Sequence, residues 1–231
     1  MMKRMILPLI LVIALAAMPA LAEADQPILF RGLEWGASCD EVFASLLESG
    51  LAVDEDPYRA DTSESSFLYP VFDEFFPDYP FPSFPEVESF PVQTVYFSLA
   101  DGAQVAGYPL AQLRTKFYAG VQNGCVVQDS ALNHFYYAEY VFDHHGIADI
   151  PGAYSAIVGK LTGLYGEPFL ADTTESGSSR SVWRGADGTY IFFTSSSAMM
   201  RLRYGTLYVE PWLAAIANPE TSVDPDSTDG L

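Results

Sequence analysis

The sequence predicts an α+β fold, two main helices packed on an antiparallel meander sheet, and three observations predict it. Tyr154, Ile157, Val158, Leu161, Leu164 and Tyr165 recur at i, i+3, i+4, i+7, i+10 and i+11 and share one face of a helix. Ser38 and Glu41 stand at the S-x-x-E spacing of a capping box just before the apolar positions Val42, Phe43, Leu46 and Leu47. Between and after these segments, stretches alternate at period two and are separated by Asp-Gly and Asn-Gly pairs, the signature of strands joined by tight turns.

Taken in order, the first helix runs from Ser38 to Ser49, and Gly50 stops it. The stretch that follows is unusual. Between Arg59 and Arg114 lie 54 residues with no Lys, Arg or His. Within them, Phe67 to Pro91 holds seven Phe, two Tyr, six Pro and five carboxylates in 25 residues. Pro77, Pro80, Pro82 and Pro85 exclude a continuous helix and remove the donors a central strand needs, so a long loop inserted between helix one and the sheet is expected. So many rings must pack, either on the protein's own core or on a partner. Phe72, Phe75, Phe76, Tyr79, Phe81 and Phe84 are the candidate contact surface.

Val92 to Ala100 alternates, and Asp101-Gly102 predicts a hairpin into Ala103 to Tyr108. Pro109 predicts a break, with a separate strand over Leu110 to Ala119. Asn123-Gly124 turns the chain into Cys125 to Val127. Leu132 to Phe142 is the aromatic strand, with His134, Tyr136, Ala138, Tyr140 and Phe142 expected on one face. The second helix spans Pro151 to Tyr165, with proline in its first turn, Gly166 past its end and Pro168 forbidding continuation. Thr173 to Ser181 reads as a loop. A hairpin of Val182 to Arg184 and Thr189 to Thr194 turns at Asp187-Gly188, and Met200 to Tyr204 alternates with Arg201 and Arg203 outward. A short helix over Pro211 to Ala217 and a disordered acidic tail over 218–231 complete the reading.

Lys3 and Arg4, the apolar run from Met5 to Ala17 and the small residues up to Ala22 predict a signal peptide over 1–22, ahead of a single domain over 23–217. The run is shorter than the roughly 20 residues of a membrane span, and no Cys lies near the cleavage site. The expected destination is therefore secreted or extracytoplasmic, without a stable membrane anchor. Cleavage leaves nine basic and 30 acidic residues, a charge of −21. That surface argues against nucleic acid and favours neutral or basic partners. Cys39 and Cys125, an even number in an exported chain, predict a disulfide. Cys39 in the first turn of a helix would otherwise favour a thiolate.

No catalytic motif stands out. Asp143, His144, His145 and Asp149 are the tightest polar cluster, but two adjacent His on a strand point to opposite sides and lack a metal-ligand spacing. Asp54-Glu55-Asp56 and the tail Asp224, Asp226 and Asp229 lack a calcium-loop pattern. No cofactor is expected.

Trp35-Gly36-Ala37-Ser38 leading into Glu41-Val42, the Y-G-E-P ending at Pro168 and the hairpin carrying Trp183 resemble a broad group of exported bacterial α+β proteins of mostly unassigned function. The pattern is also loosely similar to the folds of the β-lactamase inhibitory protein and the small outer-membrane assembly lipoprotein. The resemblance spans about Phe30 to Tyr204 and implies protein binding rather than catalysis; it carries over no functional residue. The expected function is a non-catalytic module for a protein or cell-envelope component, an inhibitor-like role being one version. The alternatives are an extracellular hydrolase using a carboxylate pair or the His144 region, and a passive surface protein.

Overall fold

The structure is a computed structural model that describes residues 26–53, 57–65, 89–118, 121–122, 125–126, 133–175 and 177–207. For 61–65, 89–91, 121–122 and 125–126 it describes the backbone alone. The signal peptide, the stretch 66–88 with all six candidate aromatic contacts, and the segment 208–231 lie outside the described residues.

The architecture is α+β, with two helices against a large antiparallel sheet. Helix α1 spans Cys39–Glu48, and the capping box is complete. Ser38 Oγ accepts from the Glu41 amide at 3.3 Å, and Glu41 Oε2 accepts from the Ser38 amide at 2.7 Å. Helix α2 spans Ile150–Tyr165, begins one residue earlier than the proline suggested, and is capped by Asp149, whose Oδ1 accepts from Gly152 N at 3.0 Å. Its buried face is Ala153, Ile157 and Leu161. Leu164, expected on that face, is 74% exposed. The helix buries a narrower stripe than the periodicity offers, because only the side against the sheet meets other side chains.

The strands are β1 (Tyr58–Ser65), β2 (Ser89–Phe97), β3 (Gln104–Val105), β4 (Tyr108–Tyr118), β5 (Val121–Gln122), β6 (Cys125–Val126), β7 (His134–Phe142), β8 (Leu170–Thr173), β9 (Ser179–Arg184), β10 (Thr189–Ser195) and β11 (Met200–Thr206). Among the described residues one sheet runs β1-β2-β4-β7-β11-β10-β9-β8, with β3 paired to β4, and β5 and β6 form a separate ribbon. Chain and sheet therefore divide alike. A first half runs α1, β1, β2, β4, β7 and a second runs α2, β8, β9, β10, β11, and the last strands of the two halves, β7 and β11, pair at the centre.

Several expectations need correction. β1, unread in the sequence, is the edge strand paired along β2, so a strand already precedes the Phe/Pro-rich stretch, and Ser89, Phe90 and Pro91 at its end belong to β2. Asp101-Gly102 does turn the chain, Ala103 N donating to Ala100 O at 2.9 Å, but its flanks do not pair with each other; the first two-residue hairpin between strands is at Ala106-Gly107, where β3 folds onto β4. Both turn residues have positive φ, 57° and 90°, as a two-residue hairpin of this hand requires. Lys160 Nζ from α2 donates to Ala106 O at 2.7 Å and braces the non-glycine position. Pro109 does not separate two strands; it lies inside β4 opposite Gln104, near the strand's start. β8 occupies Leu170–Thr173 and pairs with Ser179–Val182, so the expected loop shrinks to its middle, 174–178. Asn123 and Gly124 lie outside the described residues, and Gln122 and Cys125, which flank them, are register partners.

The aromatic strand changes face. The β4–β7 register shifts between Lys116, opposite Tyr137, and Phe117, opposite Phe135, which leaves Tyr136 as an extra residue. Ala138, Tyr140 and Phe142 keep the expected core face, and Phe135 joins them in place of His134 and Tyr136. Strict alternation cannot reveal such a slip.

The core lies between the helices and one face of the sheet and is continuous across both halves. Phe43 of α1 meets Phe97 edge-on with ring centroids at 5.2 Å, and Tyr154 of α2 stacks on Phe193 at 4.6 Å. The segment before α1 enters it too: Phe30 contacts the rings of Phe135, Tyr140 and Tyr204, and Trp35 stacks on Phe135 at 5.0 Å. The two tryptophans of the recognised pattern have structural work. Trp35 Nε1 donates to Ile28 O at 2.8 Å within the segment that precedes α1, and Trp183 Nε1 donates to Gly166 O at 2.9 Å, tying β9 to the end of α2. Cys39 is a fully buried free thiol, and burial raises its pKa to about 11. An activated thiolate is thereby overturned: removing the thiol from water outweighs any help from its place in the helix. The side chain of Cys125 lies outside the described residues.

Candidate binding face of the sheet

Cross-strand register partners share a face, so the opposite side of the sheet, helix-free among the described residues, can be read row by row. Its central row crosses all eight strands: Tyr58, Tyr96, Arg114, Glu139, Arg203, Phe192, Val182 and Leu170, each the register partner of the next. A second row carries Lys116, Tyr137, Gly205, Tyr190 and Arg184. A third carries Gln112, Val141, Arg201, Thr194, Arg180 and Asp172. This face thus gathers Arg114, Lys116, Arg180, Arg184, Arg201 and Arg203, six of the nine basic residues expected after signal removal, on a chain whose net charge is strongly negative.

At the centre Glu139 is 0% exposed and three guanidiniums converge on it. Arg114 Nε pairs with Oε2, Arg203 Nε donates to Oε1 at 2.9 Å, and Arg201 Nε stands 3.8 Å from Oε1, too far for a hydrogen bond. The three arginine side chains are themselves only 22–31% exposed, and the Nε atoms of Arg114 and Arg201 are buried with the carboxylate. Burial opposes the charge on Arg114, but the Glu139 carboxylate, the Tyr137 phenol and hydrogen bonds to Glu139 and Tyr96 together outweigh it and raise its pKa. Burial, and then the same carboxylate, push the neighbouring Tyr137 phenol upward, so it stays neutral and protonated.

Aromatic rings flank the cations. The Arg203 guanidinium lies 5.2 Å from the Phe192 centroid, Lys116 Nζ 5.3 Å from Tyr137, and the Arg184 guanidinium 3.3 Å from Phe169. Arg180 makes a two-point pair with Asp172, Nε to Oδ1 at 2.6 Å and Nη2 to Oδ2 at 2.8 Å, holding that carboxyl below the usual range. Beside it, Val182, Tyr190 and Leu207 form a small buried cluster with Leu170 and Phe192 against it. The sequence showed Arg201 and Arg203 alternating outward. It gave no hint that Arg114 and Glu139 would meet them, since that pairing joins three strands distant in the chain.

The polar cluster before α2 is a turn. His144–Gly146 form one 3-10 turn in which the His144 and His145 rings lie 3.8 Å apart, so the two do not point to opposite sides as a strand would place them. Asp143 Oδ1 accepts from the His145 amide, and Asp149 caps α2. Among the described residues no group of three or more His, Cys, Asp or Glu is placed to hold a metal ion. Asp54-Glu55-Asp56 and the tail aspartates lie outside the described residues.

Comparison with known proteins returns no matching family model, no matching curated protein and no matching solved structure. What the site can do is therefore argued from its own chemistry.

Proposed function

We propose that the chain is an exported, non-catalytic module that binds a protein or cell-envelope component, and that the helix-free face of the sheet is its main contact surface. The observation that supports this reading most is the arginine cluster on Glu139. A face of rings and partly exposed arginines has the composition of the centre of a protein interface, where Arg and Tyr are enriched. The Phe72, Phe75, Phe76, Tyr79, Phe81 and Phe84 surface belongs to the same proposal, because its stretch joins the edge strand β1 to its neighbour β2. Away from this face the −21 charge favours neutral or basic surfaces.

The hydrolase alternative draws little support from the carboxylates on view. Glu139 is committed to arginines, Asp172 to Arg180, and Asp143 and Asp149 to backbone amides. The test is a capture experiment from envelope and culture-supernatant fractions with residues 23–231 as bait. A partner held by the wild-type chain and lost from a folded Arg201→Glu variant supports the reading and locates the surface. Absence of any specific partner at both low and physiological salt overturns it.

A further inference from the structure

We propose that Arg31 and the phenols of Tyr140, Tyr165 and Tyr204 form a binding site for a carboxylate carried on an aromatic or apolar body. The site lies on the helix side of the sheet, across the β7–β11 seam, and stands independently of the contact face proposed above. Its first mark is a strained residue. Arg31 and Gly32 form a two-residue turn with φ of 55° and 78°, closed by Leu33 N donating to Phe30 O at 3.0 Å. Glycine takes such angles freely, whereas the Cβ of an arginine disfavours them. Phe30, fully buried against Phe135, Tyr140 and Tyr204, pins the turn to the core, and Arg31 itself is exposed. Strain of this kind, held in place by well-packed neighbours, gathers at functional positions.

The hydrogen bonds point the same way. The Arg31 guanidinium donates to the Tyr140 hydroxyl, and among the described residues it makes no ion pair, on a chain with 30 acidic residues. Tyr204 lies edge-on to Tyr140 with ring centroids at 6.3 Å, and its hydroxyl is near enough to Tyr140, Tyr165 and Arg31 for each to bear on its ionisation. The rings of Tyr165 and Tyr204 pack against the core. Among the described residues neither hydroxyl has a hydrogen-bond partner, and neither is sealed from solvent. Their acceptor therefore comes from outside the fold. Burial raises the pKa of all three phenols, so they remain protonated donors. One guanidinium beside neutral O–H groups matches a single carboxylate: the cation meets its charge, the phenols donate to its oxygens, and the partly exposed rings of Tyr165 and Tyr204 contact its apolar body. The carboxylate of a free small acid and that at the end of a polypeptide offer the same chemistry.

The test uses the full mature chain, residues 23–231, and calorimetric titration with two acid and amide pairs: benzoate with benzamide, and N-acetylphenylalanine with its amide. At least one acid should bind about tenfold more tightly than its own amide. A preference for benzoate assigns a free small acid, and a preference for N-acetylphenylalanine assigns the end of a polypeptide. Arg31→Gly should abolish the advantage of acid over amide while keeping the melting temperature of the unliganded chain within a few degrees of the wild type, because glycine accepts the turn's positive φ. Tyr204→Phe, which removes the hydroxyl and keeps the ring, should weaken acid binding about fivefold. Equal affinity of each acid and its amide, an acid preference that survives Arg31→Gly, indifference to Tyr204→Phe, or inorganic phosphate binding as tightly as the acids would overturn the inference. None of these outcomes depends on the capture experiment, so the two proposals fail separately.

Discussion

Glu139 and Arg203 are direct register partners across the β7–β11 seam, 2.9 Å apart, and the only described carboxylate among the central arginines is therefore also the link between the two halves of the chain. Breaking a buried ion pair by removing one partner leaves the others uncompensated. Glu139→Gln should cost about 3–5 kcal/mol in urea unfolding. A loss below about 1 kcal/mol would show that solvent already screens the cluster.

The two helix starts offer a cleaner comparison. Ser38→Ala removes the side-chain half of the α1 capping box, and Asp149→Ala removes the α2 cap. Each should cost about 1 kcal/mol. The caps belong to different helices on different halves, so the double variant should show additive losses within about 0.5 kcal/mol. Larger coupling would mean that the helix ends communicate.

Asp149, three residues before Gly152, was read only as part of the polar cluster ahead of the helix, whereas the Ser38 cap was legible in the sequence, because a capping box joins residues three apart. The hairpin at Asp187-Gly188 was legible for the same reason: Asp187 and Gly188 adopt positive φ, and Arg184 pairs with Tyr190 around them. What could not be read depends on residues far apart. β1 lacks alternation of its own and is a strand because β2 offers it a partner. The Ala106-Gly107 turn lacks the Asn or Asp that marks such turns, and it depends on Lys160, 54 residues on. Phe135 replaced Tyr136 in the core through a bulge that only the neighbouring strand defines. The Arg114, Glu139 and Arg203 row was hidden for the same reason.

Acid should destabilise the fold through two named carboxyls. Glu41 is held below its ordinary pKa, first by the Ser38 amide and then by the Ser38 hydroxyl, and Asp172 is held below its own by Arg180. At acid pH the unfolded chain binds more protons than the folded one at both sites, so stability rises with pH. Their contribution is complete above the ordinary carboxylate range and is lost as pH falls through the lowered folded values. Melting temperatures followed from about pH 7 to about pH 2 should fall less steeply in Ser38→Ala and Arg180→Gln than in the wild type. Parallel curves would remove both groups from the account.

Cys39 should be slow toward thiol reagents in the native protein. With burial raising its pKa to about 11, under roughly 1% is thiolate at pH 8. Ellman's reagent should react with it at a rate limited by opening of the fold, accelerating in denaturant. Thiol counting in denaturant without reductant should find Cys39 as a thiol, as the structure has it and not in the disulfide the sequence predicted; a count of none would overturn this.

Gly205 lies opposite Tyr190 on the helix-free face, and a Cβ there would come 2.4 Å from the Tyr190 hydroxyl oxygen and 2.5 Å from its ring. Gly205→Ala should displace that ring and destabilise by about 1–3 kcal/mol. Pairing it with Tyr190→Ala, which removes the obstruction, should recover part of the loss; no recovery would place the strain in the backbone.

The sheet's division into two halves has a consequence for how the chain can be cut. Each half pairs its strands with near neighbours in sequence, and among the described strands the halves join through one seam, β7 against β11. The turn at 143–149 is the covalent bridge between them. A polypeptide severed there would keep every strand ladder intact within its fragments except the seam. Co-expressed fragments ending at Asp143 and beginning at Ile147 should therefore reassemble into a non-covalent heterodimer, with Glu139 and Arg203 supplying recognition instead of a peptide linkage.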